Sequence, residues 1–298
     1  MDTVSQLLQT FRLQAEVFHN AKYCNAFNID TTVSGKAGFH LITEGQAYVV
    51  FGDAREPETL APGDLVLLPR AGEHRVVDAL DTSAPVNGSA SARFGDVADQ
   101  AGTGLVCGYL TFDHPASNPL MDALPDVVIV RASGRPADCN VRELLHVLVR
   151  ESVSDQPGVQ VTLNRLCDVV FVLVMREYLG VAGGRGVAAA LADKRIGRAL
   201  DALHANLAAD WSVESLAGLA AMSRAGFAAR FKALLDTTPV AYLTAARMQS
   251  AYRLLKDHQE PVAAVAAQVG YATEAAFAKA FKRELGIAPG AVRRGTVD

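Results

Sequence analysis

A repeat at a fixed spacing limits this chain more than any other feature. Residues 212–239 and 262–289 match at an offset of 50: Phe227 with Phe277, Phe231 with Phe281, Lys232 with Lys282, Leu235 with Leu285, and Pro239 with Pro289. One small unit therefore occurs twice. In each copy two phenylalanines stand four residues apart with a leucine four further on, which lines them along one helix face and turns that face to a core. A short helical stretch precedes each stripe, at 213–221 and 261–269, and a tight connection between the two ends on a capping residue, Ser223 or Thr273. Pro261 suits a first helical position, and Gly270 can take the left-handed conformation that closes a helix. Ala217 and Ala267 are expected where the paired helices approach closely.

Helix, turn, helix leaves the outer face of the second helix free, and that face has the width of a B-DNA major groove. It offers Arg224, Ala225, Ala228 and Ala229 in the first copy, and Glu274, Ala275, Ala278 and Lys279 in the second. Between the copies, residues 239–257 repeat apolar side chains at helical spacing. Such a helix spans roughly 25 Å and would hold the two second helices near one DNA turn apart. The phenylalanines themselves read as packing residues.

The net charge of −4, from 28 Lys+Arg and 32 Asp+Glu, argues against a nucleic-acid partner only while the chain is taken whole. Residues 1–192 hold 14 Lys+Arg and 22 Asp+Glu, net −8, whereas residues 193–298 hold 14 and 10, net +4. The sign changes at 180–193, where three glycines fall within four residues, as expected of a linker with its boundary near residue 187. A second weak stretch, 81–104, carries almost nothing to bury and is expected to be a long mobile loop. No apolar run approaches the ~18 residues of a membrane helix, and the N-terminus does not read as an export signal. The expectation is a cytoplasmic chain without a membrane partner. Cys24, Cys107, Cys139 and Cys167 form no C-x-x-C pair, which argues against a disulfide framework and a cysteine zinc site.

Residues 193–294 resemble the AraC/XylS DNA-binding domain along its full length, most specifically in RFKALLDTTPVAYLTAARMQSAYRLL and VAAVAAQVGYATEAAFAKAFKRELGIAPGAVRR. The resemblance implies that both second helices enter successive major grooves, and that the chain is an activator working with double-stranded promoter DNA and RNA polymerase. The implied DNA-binding set is Ser223, Arg224, Ala225, Ala228, Ala229 and Arg230, then Thr273, Glu274, Ala275, Ala278 and Lys279. Alanine can touch a thymine methyl but donates no hydrogen bond, so direct readout falls to Arg224, Glu274 and Lys279, aided by DNA shape. Arg230, Lys232, Lys282, Arg283, Arg293 and Arg294 suit phosphates or the surface.

From residue 24 to 112 short β-like pieces (AGFHLITEG, AYVVFG, DLVLLP, HRVVDAL, LVCGYLTF) alternate with turn residues, as in a sandwich or barrel. Their order resembles a cupin. Many cupins hold a metal with two histidines and a glutamate on one strand and a later histidine; here His40 and Glu44 are present, Ile42 replaces the second histidine, and His74 fits the later place. A divalent metal on His40, Glu44 and His74 is one option, with a metal-dependent oxygenase as the alternative class; histidines hydrogen-bonded inside a regulatory pocket are the other. Residues 139–152 and 159–180 have helical spacing and large apolar faces that pack on the barrel, on a second subunit of a homodimer, or both. Residues 1–180 resemble the cupin-type regulatory domain of a subgroup of these regulators, through FHNAKYCNAF, PGDLVLLPRAGEHRV, LVCGYLTFD and NPLMDALPD. Some members of that subgroup respond to hypochlorous acid and related oxidants, and their sensing thiols stand at the positions of Cys24 and Cys107. A barrel that binds a small organic effector is the competing reading. The expected architecture is multidomain α+β, with a cupin-like sensor (1–135), a helical dimerisation and coupling segment (136–180), a linker (181–192) and a double helix-turn-helix domain (193–298). It is taken to be a regulator and not an enzyme.

Overall fold

The computed structural model describes residues 13–33, 36–70, 72–112, 121, 124–134, 136, 139–181, 186–258 and 260–295. The chain divides into two compact units, one built from Leu13–Thr111 with Leu124–Met175 and the other from Arg176 onward. One is β-rich and the other helical, the multidomain α+β architecture expected.

In the β-rich unit the described strands are β1 (Leu13–Tyr23), β2 (Asn28–Asp30), β3 (Ala37–Glu44), β4 (Ala47–Phe51), β5 (Glu58–Leu60), β6 (Leu65–Leu68), β7 (His74–Val77), β8 (Thr103–Phe112) and β9 (Val128–Val130). They form two sheets, ordered β1-β8-β3-β6-β9 and β2-β7-β4-β5. Alternation assigns the faces. Ile42, Val66, Leu68, Val76, Leu105 and Cys107 meet between the sheets with Tyr23 and Phe27. The opposite parity, Phe39, Leu65, Leu67 and Leu110, lies under two helices, α1 (Asn140–Ser152) and α2 (Val159–Val181), against Leu148, Val170 and Phe171. Burial on both faces is why AGFHLITEG reads as a nearly unbroken apolar run. The turn before β6 closes at Gly63 with φ +87°, and the Asp64 carboxylate accepts the N–H groups of Ala61 (3.1 Å) and Ala132 (2.8 Å).

β1 lies ahead of the region read as strands. Its inward side carries His19 alongside Ala15, Val17, Ala21 and Tyr23, and this dilutes the apolar alternation. Part of its edge is satisfied by a helix. The Ala15 N–H donates to Asp168 Oδ1 (2.6 Å), the Val17 N–H to Asn164 Oδ1 (3.0 Å), and Gln160 Nε2 to the Val17 carbonyl (2.5 Å). Gln160, Asn164 and Asp168 follow at four-residue intervals along α2, so one polar stripe of the helix serves the strand.

The 81–104 stretch contains no long strand, but it is pinned. Lys22 and Ala92 exchange backbone hydrogen bonds, Asn28 Nδ2 donates to the Ala84 carbonyl, and Phe94, in a one-turn 3-10 helix, is only 6% exposed. Asn87 Oδ1 accepts the Asp30 N–H and Ser89 Oγ donates to the Ala26 carbonyl, which fastens the loop to the barrel where the sequence suggested mobility.

The helical unit comprises α3 (Val187–Ala192), α4 (Ile196–Ala205), α5 (Val213–Leu219), α6 (Arg224–Leu235), α7 (Pro239–His258), α8 (Val262–Gln268), α9 (Glu274–Leu285) and α10 (Pro289–Arg294). Two cores form in it. Phe227 and Phe231 sit with Leu216 and Ala217 in the first, Phe277 and Phe281 with Val265 and Ala266 in the second, and all four phenylalanines are fully buried. The expected linker is part helix: Ala189 and Ala190 of α3 enter the first core, and residues 182–185 lie outside the described residues. The repeat also slips by one. Four residues separate α5 from α6 and five separate α8 from α9, so the counterpart of Ala217 is the buried Ala266 and not Ala267, which is exposed. Gly270 takes the left-handed conformation expected, with φ +82°, whereas the shorter first turn puts Ala221 there at φ +51°.

Two outcomes are expected. Ala221→Gly removes the Cβ from a left-handed position and should stabilise the helical unit by about 1 kcal/mol in urea unfolding. On α4, His204 shares a 2.9 Å hydrogen bond with the Tyr242 hydroxyl, and burial pushes its imidazole down to about 4. The unfolded chain protonates this group near 6.5, so its contribution is intact above about pH 6.5 and is lost as pH falls towards 4. Trp211, the one tryptophan, lies in the helical unit. Unfolding followed by its fluorescence should show a melting temperature that drops between about pH 7 and about pH 5, and His204→Gln should flatten that drop.

Candidate nucleic-acid interface and sensor site

The second helix of each copy starts on the expected cap. Ser223 Oγ accepts the Gly226 N–H and Thr273 Oγ1 the Ala276 N–H, each at 3.2 Å. On α6, Arg224, Ala225 and Ala229 are exposed and Ala228 is half-buried; on α9, Glu274, Ala275 and Lys279 are exposed and Ala278 is half-buried. Ala276 is exposed as well and extends the second face. Two cations are engaged by acids. Arg224 Nε lies 2.8 Å from Glu214 Oε1 of α5, with both side chains more than half exposed, so Arg224 reaches outward beside a carboxylate that can be displaced or can steady it. Arg230 Nη2 lies 2.9 Å from Asp193 Oδ2, which ties it to the start of the unit; its place in the sequence-based set does not give it a free guanidinium. Lys279 and Lys282 leave exposed positive charge on α9.

In the barrel, His40 and His74 converge between the sheets. Their Nε2 atoms are 2.8 Å apart, and Thr31 Oγ1 stands 3.2 Å from one and 3.1 Å from the other. His74 Nδ1 donates to the Gly72 carbonyl at 2.8 Å, so a neutral His74 accepts at Nε2 and His40 donates there. That leaves His40 Nδ1 buried without a partner. Burial lowers the pKa of both rings, which keeps the pair neutral. Glu44 does not join them. The pairing of β3 with β8 shifts register between Ile42 and Glu44, the alternation breaks there, and Glu44 forms a 2.6 Å ion pair with Lys22. Among the described residues no group of three or more His, Cys, Asp or Glu is placed to hold a metal ion. The His40, Glu44, His74 set is therefore not assembled, because the bulge turns its carboxylate away.

The cysteines are free, and they differ in surroundings. Cys24 is partly exposed and follows β1, with its Cα close to Gly102; a Cβ added at Gly102 would meet it at 3.1 Å. Cys107 is 1% exposed, faces the inter-sheet core and pairs in register with His40, and burial pushes its thiol up to about 12. Five steps of extended chain lead from Gly102 to Cys107, roughly 16 Å at strand rise. Cys167 is on α2, on the side packed against the apolar residues of the sheet, and its thiol is likewise pushed up to about 12; Cys139 is the residue before α1. Beside His74 a recess of about 250 Å³ opens on Asp30, Thr32, Phe51, Glu73 and Arg75, which residue patterns alone did not indicate.

Residues 2–180 match the family model described as Cupin, and residues 216–295 match that of a helix-turn-helix domain. The chain is 32% identical to the RCS-specific HTH-type transcriptional activator RclR of Escherichia coli (strain K12), over 98% of this chain and 97% of that protein. It is 33% identical to an AraC-like transcription regulator of Streptomyces antibioticus, over 99% and 98% respectively. A solved structure of the AdpA DNA-binding domain in complex with a target DNA is 36% identical over 30% of this chain and 80% of that chain, with a TM-score of 0.29. A cupin domain followed by a duplicated helix-turn-helix, matched end to end by such regulators, makes this chain a member of the AraC family of DNA-binding transcription regulators and not an enzyme.

Proposed function

We propose that this regulator is an activator that senses an oxidant through Cys24 and Cys107 and carries the change to its reading helices along α2. The observation that carries the reading is the position of Cys24 at the end of β1, the strand whose edge is held by Gln160, Asn164 and Asp168 of α2. Cys24 is the more accessible thiol. A two-electron oxidant such as a hypohalous acid takes its thiolate to a sulfenic acid; the Cys107 sulfur then attacks that sulfur, forming a disulfide and expelling water. A disulfide needs Cα atoms within about 7 Å, far less than the ~16 Å of strand between Gly102 and Cys107, so the bond forms only if the end of β1 moves against β8. Such a movement pulls on the hydrogen bonds to α2, and α2 runs on past Met175 into the chain of the helical unit. The similarity to a relative named as an RCS-specific activator supports the same reading.

The active form in this proposal is a homodimer in the cytoplasm, bound to promoter DNA and in contact with RNA polymerase. Val169 of α2 is 47% exposed, and the partly exposed Leu166 and Leu173 flank it at three- and four-residue steps, a seam that suits a second copy, with the exposed Val161 eight residues before Val169. No helix among the described residues is long and apolar enough to cross a membrane. The recess beside His74 favours a second reading, in which a small organic effector binds among Asp30, Glu73 and Arg75 and biases the same strands.

A reporter placed behind an operator selected by this chain separates the readings. Hypochlorite should induce it in the wild type and fail to do so in Cys24→Ser and Cys107→Ser; induction that survives both substitutions removes the thiol mechanism. Glu73→Ala should leave the oxidant response intact, and under the effector reading it abolishes a response to small ligands. For the reader, Arg224→Ala should cost about 1–3 kcal/mol of operator binding and relax preference at one base pair. Lys282→Ala, at an exposed position suited to a phosphate, should lower the salt slope of binding by about one. Cys167→Ala, buried far from these faces in sequence, should leave binding unchanged, and equal losses for Arg224→Ala and Cys167→Ala would contradict the face assignment.

A further inference from the structure

The two helix-turn-helix copies are bonded to each other, in addition to being joined by α7. Arg247, on α7, donates from Nε to the Leu207 carbonyl and from Nη2 to the Ala209 carbonyl, each at 2.8 Å. Those carbonyls belong to the loop between α4 and α5, which is stiffened by the Trp211 Nε1 bond to the Asn206 carbonyl at 2.8 Å. The same guanidinium lies over the ring of Tyr271, 5.9 Å from its centre. Tyr271 stands in the turn between α8 and α9 and packs edge-on against Phe277 of α9, with centroids 5.7 Å apart. The backbone of that turn approaches the first copy directly. A Cβ added at Gly270 would fall 2.6 Å from the Ala208 carbonyl oxygen and 2.8 Å from Arg247 Nη2. The first copy's loop, the α7 guanidinium and the second copy's turn thus form one continuous contact. Burial also lowers the guanidinium pKa, as expected of a cation taken partly out of water.

We infer that Arg247 is a positioning residue that sets the spacing and rotational phase at which α6 and α9 meet DNA, so that the chain accepts its two half-sites at one separation. A helix alone fixes distance along its own axis but leaves each copy able to rock about it. A planar fork on two carbonyls of one copy, stacked on a ring of the other, removes that freedom. DNA makes the constraint legible: each added base pair displaces a half-site by about 3.4 Å and rotates it by about 35°. A reader pair held rigidly loses one of its two contacts when that step is inserted, whereas a loose pair follows it. The inference rests on the two helix-turn-helix units being the readers and is independent of how the sensor works.

The test selects binding DNA from a random pool with the full chain and compares wild type, Arg247→Ala and Arg247→Lys. Wild type should recover two half-sites at a single separation and lose about tenfold in affinity when one base pair is inserted or removed between them, a loss on the scale of a mismatched base pair. Arg247→Ala should recover the same half-site sequences at several separations, with the one-base-pair penalty reduced to about twofold. Arg247→Lys, whose ammonium cannot bridge two carbonyls and cover the ring, should fall between. A residue that served only the fold would weaken both half-sites without broadening their separation, and that result overturns the inference. So does a wild-type separation profile in Arg247→Ala. Should that variant fail to fold, Tyr271→Leu removes only the ring beneath the guanidinium, and a wild-type profile in both Tyr271→Leu and Arg247→Lys is equally decisive against it.

Discussion

The β-rich unit depends on how its edge strand is satisfied. An edge strand presents backbone N–H and C=O groups that must be paired, covered or left to water. β1 meets this with side chains of a helix, as Gln160, Asn164 and Asp168 take up the groups of Ala15 and Val17. These bonds hold α2 across the sheet, and its other residues then cover Phe39, Leu67 and Leu110. The same arrangement leaves Val161 and Val169 facing away. A helix that only covered apolar surface could slide along the sheet at little cost; one bonded to a strand at three points follows the strand. Directional bonds, and not buried area, make α2 a candidate conduit between the barrel and the chain that follows.

Polar groups inside the barrel obey a different rule. His40, His74 and Thr31 close on one another between the sheets, and both imidazoles stay neutral because charging either would desolvate a cation. Cys107 shares that interior and has its thiol raised by the same cause. The interior favours uncharged forms, while Cys24, Glu73 and Arg75 stand at the rim, where they meet solvent.

In the helical unit the apolar and the informative positions are separated cleanly. Four buried phenylalanines with their leucine neighbours fix the shape of each copy, while the outward positions of α6 and α9 are mostly alanine. Alanine gives closeness without hydrogen bonds, so in the proposed reading recognition falls to Arg224, Glu274 and Lys279 and to the geometry with which the faces are presented. That geometry depends on Arg247 and Gly270, which lie on neither face.

Much of this was legible in the residues. The duplicated helix-turn-helix followed from side chains four apart, because a helix face is a local consequence of spacing; the caps Ser223 and Thr273 and the left-handed Gly270 followed from local backbone chemistry in the same way. Five of the nine described strands were marked as short apolar pieces bounded by turn residues, and the change in charge sign separated two domains. What the sequence left undecided depends on partners distant along the chain. β1 went unread because His19 interrupts its inward apolar alternation, Glu44 faces Lys22 because one bulge breaks the strand period, and the repeat slips from Ala267 to Ala266 through one extra turn residue. The separation of Cys24 from Cys107 and the fork of Arg247 across two copies arise only when strands pair and helices pack. Sequence by itself determined which local elements form and which family they compose, since periodicity and capping act over a few residues; tertiary structure decided which polar groups meet, since hydrogen bonds between distant segments have no period to read.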